Sequence, residues 1–190
     1  EPGDADVLEM QEVERPAPGD GDLLVRVASS GVNRADLLQR EGRYPAPAGY
    51  SEQVLGLEYA GTVEAVGHGV DRFAVGDAVM GITGGGGYAE FVVESASTAV
   101  AAPANLDLVQ VGAVPEVFMT AFDAAFVQEG LLKDETLLVH AVGSGVGTAA
   151  LQLGARAGVT VIGTSRTPAK LERAAELGLT HGVVAEPGWP

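Results

Sequence analysis

The segment Gly143-Ser144-Gly145-Val146-Gly147 lies between a nearly continuous apolar run, Thr136 to Val142, and an alanine-rich stretch that reaches Ala157. A second apolar run, Val159 to Thr164, follows. Apolar runs without alternation are expected of strands buried on both faces of a parallel sheet. Parallel strands in turn need a crossover, usually a helix, between them. The pattern therefore predicts a βαβ unit whose first turn is rich in glycine. Such a turn brings backbone N–H groups close to a pyrophosphate, and the positive end of the helix favours its negative charge. Ser144, Gly145, Val146 and Gly147 are the candidate contacts to a dinucleotide. Gly147, Ala150, Leu151 and Gly154 give the helix a close-packing face for the sheet.

The kind of dinucleotide is read from the end of the second run. NAD-binding sheets place an acidic residue about 20 positions past the first glycine, where it accepts from the ribose hydroxyls. Here the stretch Gly163-Thr164-Ser165-Arg166-Thr167-Pro168-Ala169-Lys170 contains no acid. Ser165, Arg166 and Lys170 instead supply donors and positive charge suited to a 2′-phosphate, which points to NADPH. A further helix, Pro168 to Leu177, and a weak third strand, Gly182 to Ala185, follow.

The chain before about Val100 has a different texture. Short β-runs, Leu23 to Val27, Gly61 to Val66, Ala78 to Ile82 and Ala89 to Val93, are cut by glycine-rich turns, as in a small barrel. One helix interrupts them: Asn33 is its candidate cap, Asp36 stands three residues on, and Gly42 ends it. Gly84 to Gly87 leads into a strand rather than a helix, so it reads as a turn and not as a phosphate cradle. Val109 to Val127 has helical spacing, which Pro115 divides into two helices. The expected boundary falls around Ala102-Pro103-Ala104-Asn105, giving domains of residues 1–105 and 106–190.

Composition narrows the chemistry. The 190 residues include no cysteine, which excludes disulfides, a thiolate nucleophile and cysteine-based zinc sites. Eleven Lys and Arg against twenty-six Asp and Glu give a formal charge of −15. That field repels phosphate backbones and anionic lipid, so neither nucleic acid nor membrane is an expected partner. No apolar segment approaches membrane-spanning length, and Glu1-Pro2-Gly3-Asp4 resembles no secretion signal, so a cytoplasmic location is expected. His68, His140 and His181 lack metal-ligand spacing and are read as structural.

Several ordered segments carry a family resemblance: Gly31 to Tyr44 (GVNRADLLQREGRY), Leu55 to Gly61 (LGLEYAG), Val75-Gly76-Asp77, Gly86 to Glu90 (GGYAE) and Pro115 to Thr120 (PEVFMT). Together they resemble the zinc-free NADPH quinone oxidoreductases of the medium-chain dehydrogenase/reductase superfamily. The resemblance implies an α/β fold: a GroES-like partial β-barrel followed by a Rossmann-type doubly wound sheet, with NADPH bound in the cleft between them. Zinc-dependent members carry a Gly-His-Glu segment whose histidine is a metal ligand. Gly56-Leu57-Glu58 stands there, and leucine cannot ligate zinc, so no metal is expected.

Reduction without a Lewis acid relies on holding the hydride donor against an electrophilic carbon while hydrogen bonds take up charge on the acceptor oxygen. Quinones and enones suit that constraint. The resemblance implies that Asn33, Tyr44 and Asp36 lie at the cleft, with Asn33 and Tyr44 as donors, Asp36 chiefly capping its helix, and Thr120 facing the nicotinamide. Two other functions stay open: an enoyl-thioester reductase, and a non-catalytic NADPH-binding protein. Ser144 stands where the family often has Gly or Ala. Only three of the usual six doubly wound strands are counted, so half the sheet is expected to be missing, together with the edge through which the family would form a homodimer.

Overall fold

The computed structural model describes residues 2–186 and residue 188. It is a mixed α/β structure in two compact units, residues 1–116 and 117–190, so the stretch 106–116 folds with the barrel.

The first unit is built on five antiparallel strands: β1 (Asp22–Ser29), β2 (Glu58–Val66), β3 (Ala78–Ile82), β4 (Phe91–Ser95) and β5 (Val100–Ala101). Their order is β4-β1-β2-β3-β5. Strand β1 is central to the packing, because Val25 is registered with Val63 on one side and Val92 on the other. Leu23, Val25, Tyr59, Val63, Val79 and Val92 form one buried cluster. Each such side chain contributes about 1.5–3 kcal/mol by leaving water. Helix α1 (Arg34–Arg40) follows β1, with Asn33 as its N-cap and Gly42 left-handed (φ 72°) just beyond it. The GroES-like barrel expected from the short β-runs is thus present, with β5 as an edge strand too short to leave a sequence signal. Before β1 the described residues hold a single 3₁₀ turn, Ala5–Val7.

Helix α2 (Leu108–Val111) closes this unit, and α3 (Pro115–Phe122) starts in it and runs on into the second, the two split at Pro115 as expected. Proline at the first helical position loses no helix hydrogen bond. Helix α3 runs on into a π-helical turn, Asp123–Gln128, whose Phe126 stacks on Phe122 of α3 with centroids 5.4 Å apart.

The second unit holds three parallel strands, β6 (Thr136–Val139), β7 (Thr160–Ser165) and β8 (His181–Val184), in that order, joined by α4 (Gly145–Ala157) and α5 (Pro168–Glu176). This is the βαβαβ half of a Rossmann sheet. Val139, Val142, Leu151, Val161 and Ala174 form its core, with Leu137, Ala150, Leu171 and Leu179 packed against it. Gly154 lets α4 lie against the sheet, since a Cβ there would stand 2.9 Å from Val161. One expectation is corrected: the first strand stops at Val139, not Val142. The chain turns at Ala141, whose φ of 49° takes it out of the extended region.

Candidate functional site

The glycine turn folds as a helix-opening loop. Ser144 caps α4, its hydroxyl accepting from the Gly147 N–H at 3.1 Å while its carbonyl accepts from Thr148 N–H at 2.8 Å. The amides of Gly145 and Val146 lie in the first turn, where a helix offers no acceptor of its own. Both residues are exposed. Glycine is required at 147 because a Cβ there would stand 2.6 Å from the Ala141 carbonyl oxygen and 2.8 Å from the Val142 Cα. A Cβ on Gly143 would meet the Lys170 stem at 2.8 Å, so that lysine lies across the turn.

At the end of β7, Ser165 is buried and its hydroxyl is used twice, donating to the Thr167 carbonyl at 3.2 Å and accepting from the Thr167 N–H at 3.1 Å. It closes the turn into α5. Arg166 and Lys170 are exposed on the same short stretch. Positive charge beside exposed first-turn amides is a donor set that fits a dinucleotide phosphate. Thr120 is exposed on α3, one turn before the π-helical segment.

In the first unit, Asn33 sits where β1 hands over to α1. Its backbone N–H donates to the Asp36 carboxylate at 2.7 Å, which is the capping half of Asp36's expected role. Asp36 is buried, and its other oxygen, Oδ1, has no partner among the described residues. The Asn33 carboxamide donates through Nδ2 to Glu58 Oε1 at 2.8 Å. Glu58 Oε2 accepts the backbone N–H of Glu116 at 3.0 Å, and the Glu58 carbonyl accepts from the Ser30 hydroxyl at 2.7 Å. Tyr44 stands apart on the loop after α1, with its side chain exposed and without a side-chain hydrogen bond among the described residues.

Burial pushes the Glu58 carboxyl above its ordinary range, with a further push from Asp36 and an opposing pull from the Glu116 amide and Asn33. Glu116 is raised by burial, then by Glu58 and Asp36. Tyr88 is raised by burial and by the same two carboxylates. The two buried carboxylates bonded to Asn33, Asp36 and Glu58, thus share one acidic cluster with Glu116 and Tyr88. Sequence reading took Glu58 only as the neighbour of a missing zinc ligand. Its burial as the first residue of an apolar strand, Glu58 to Val66, was the available signal.

Among the described residues no group of three His, Cys, Asp or Glu side chains could hold a metal ion, and no helix is long and apolar enough to cross a membrane. His140 faces the Thr164 hydroxyl at 3.3 Å.

Comparison with known proteins matches residues 19–104 to the alcohol dehydrogenase GroES-like domain. Over 181 residues the chain is 39% identical to a quinone oxidoreductase of Pseudomonas aeruginosa, covering 95% of this chain and 54% of that protein. It is 36% identical over 180 residues to phthioceranic/hydroxyphthioceranic acid synthases of Mycobacterium, covering 95% of this chain and 8% of theirs. Among solved structures, the CurK enoyl reductase superposes with a TM-score of 0.86 at 32% identity over 96% of this chain and 57% of its own. A mycobacterial protein complexed with NADPH does so at 0.84 and 30%, over 98% and 57%. The chain thus spans little more than half of its single-enzyme relatives and a small part of the synthases.

Proposed function

We propose that this chain, which belongs to the medium-chain dehydrogenase/reductase superfamily, serves in NADPH-dependent reduction of a quinone or similar conjugated carbonyl. The observation that carries the reading is the α4 turn: Gly147 pressed against the Ala141 carbonyl, exposed amides at Gly145 and Val146, and Lys170 lying over Gly143. A bound NADPH would supply a hydride to an electrophilic carbon. The α4 amides would hold its pyrophosphate. Arg166 and Lys170 would neutralise the 2′-phosphate, with Ser165 fixing the turn that presents them. Ser144 uses its hydroxyl oxygen as a cap and keeps its O–H free to donate. Thr120 is proposed for the nicotinamide side.

Once hydride reaches the acceptor, negative charge gathers on its oxygen and must be met by fixed donors. Asn33 fits that task because a carboxamide has two N–H groups and Glu58 occupies one. Tyr44 is the second proposed donor, its phenol exposed and free. Asp36 acts through its cap on α1. The 39% identity to a protein named as a quinone oxidoreductase supports the acceptor class.

A second reading is enoyl-thioester reduction, favoured by the likeness to CurK enoyl reductase and by the synthase relatives. Steady-state oxidation of NADPH with a quinone and with a crotonyl thioester separates the two. Turnover of the quinone with little of the thioester supports the first, the reverse supports the second, and binding without turnover of either points to a non-catalytic NADPH protein.

A further inference from the structure

Glu58 is a charge without a counter-charge. It is 2% exposed, yet the ion pairs of the described residues engage Glu64 and Glu41 and leave it out. Carboxyls surround it instead: Asp36 from α1 and Glu116 from α3, with the phenol of Tyr88 from the loop before β4. Burying a carboxylate among other acids costs stability, and an apolar residue would suit the strand better. The surrounding backbone is nevertheless shaped to admit it. A Cβ on Gly31 would collide with Glu58 Oε1, so only glycine leaves the carboxylate its place. Each oxygen then has one donor: Asn33 Nδ2 on Oε1 and the Glu116 amide, at the N-terminus of α3, on Oε2. The second acceptor fixes the carboxylate so that the first can fix Asn33.

We propose that Glu58 is a positioning residue that holds the Asn33 carboxamide in one orientation, Nδ2 to Oε1, so that its remaining N–H is left free to donate to the acceptor oxygen. The inference rests on the reductase reading for what Asn33 donates to, and on geometry alone for the tether. An apolar residue at 58 would let the amide rotate and present its carbonyl, which repels a developing oxyanion, and glutamine has one acceptor oxygen for the two donors that Glu58 now serves. The tether holds when Glu58 is ionised. Protonation removes Oε1 as a charged acceptor, so the hold weakens as pH falls into the range to which burial raises Glu58.

The test reads Asn33 directly. In ¹H–¹⁵N spectra of the chain titrated from about pH 8 downward, the Asn33 side-chain amide signals are expected to shift, with a midpoint above the ordinary glutamate range. The Asn33 shift is expected to vanish in Glu58→Gln, whose kcat with NADPH and quinone should fall at least tenfold, as in Asn33→Ala, with the KM for NADPH unchanged. The double variant should be no slower than either single. The acid limb of the wild-type kcat should share the Asn33 midpoint and be lost in Glu58→Gln. Asn33 signals that do not move with pH in the wild type, or that move alike in Glu58→Gln, would overturn the proposal. Where Glu58→Gln fails to fold, Asp36→Asn decides the point, since it removes the other carboxylate bonded to Asn33 and leaves Glu58 in place: an Asn33 side-chain shift that is lost with Asp36 would overturn the proposal. A chain that oxidises no NADPH with any acceptor while its Asn33 amide titrates as expected would sink the reductase reading and leave the tether standing.

Discussion

A Cβ on Gly147 would stand 2.6 Å from the carbonyl oxygen of Ala141, so the first turn of α4 approaches the end of β6 more closely than any other residue type allows. That approach places the Gly145 and Val146 amides at the surface. Gly147→Ala must push the helix and the turn apart. Overpacking of this kind costs about 1–3 kcal/mol, and the displaced amides should weaken NADPH binding at least tenfold. Urea unfolding and a cofactor titration on the same preparation check both effects.

The other side of that contact is strained. Ala141 holds a φ of 49°, a conformation that costs a residue with a Cβ roughly 1–2 kcal/mol. Glycine removes the strain but adds unfolded-state entropy. Ala141→Gly should therefore stabilise the chain by about 0.5–1 kcal/mol, the difference of these effects, while leaving the Gly147 contact intact. The midpoint of urea unfolding reads it; a destabilised variant would show that the backbone at 141 is not strained.

Arg166 and Lys170 lie on one short exposed stretch, Lys170 across the glycine turn. A charge-assisted hydrogen bond to phosphate is worth about 1.5–3 kcal/mol, so replacing either residue with alanine should raise the Kd for NADPH roughly tenfold or more. The Kd for NADH, which lacks the 2′-phosphate, should change little. Fluorescence titrations of both dinucleotides at one salt concentration give the comparison.

Glu94 provides a pH test inside the barrel. It is buried; Tyr50 donates to its Oε2 at 3.1 Å, and its Oε1 has no partner among the described residues. Burial holds this carboxyl above its ordinary range, against the hydrogen bond from Tyr50. The folded state therefore binds a proton more tightly than the unfolded chain. Its contribution is full below the ordinary glutamate pKa and is lost as pH rises through the raised value. Glu94→Gln should gain in Tm relative to the wild type as pH rises from about 4.5 toward neutrality. A constant Tm difference across that range would mean that Glu94 does not titrate with a raised pKa.

How legible this was from sequence follows from where each feature is encoded. The cofactor turn is local: glycines, a capping serine and a small-residue helix face lie within Gly143–Gly154, and period and composition are enough to find them. The length of β6 was not, because nothing in the identity of Ala141 announces a positive φ. The same limit hid the π-helical turn after Phe122, which departs from α-helix in hydrogen bonding and not in composition. Asn33 was visible as a cap, being three residues from Asp36. Its link to Glu58 spans 25 positions and that of Glu58 to Glu116 spans 58, so neither leaves a local pattern. Ser165 read as a phosphate donor on residue type alone, whereas its burial and two bonds to Thr167 make it part of the turn.

The most direct measurement is a titration of NADPH and of NADH into the purified chain, followed by reduced-nicotinamide fluorescence, with a quinone added at saturation while the absorbance of that band is watched. Saturable binding that favours NADPH, and loss of the band on adding quinone, is the expected result. Binding of neither dinucleotide would contradict the assignment of the α4 turn as a nicotinamide cofactor site.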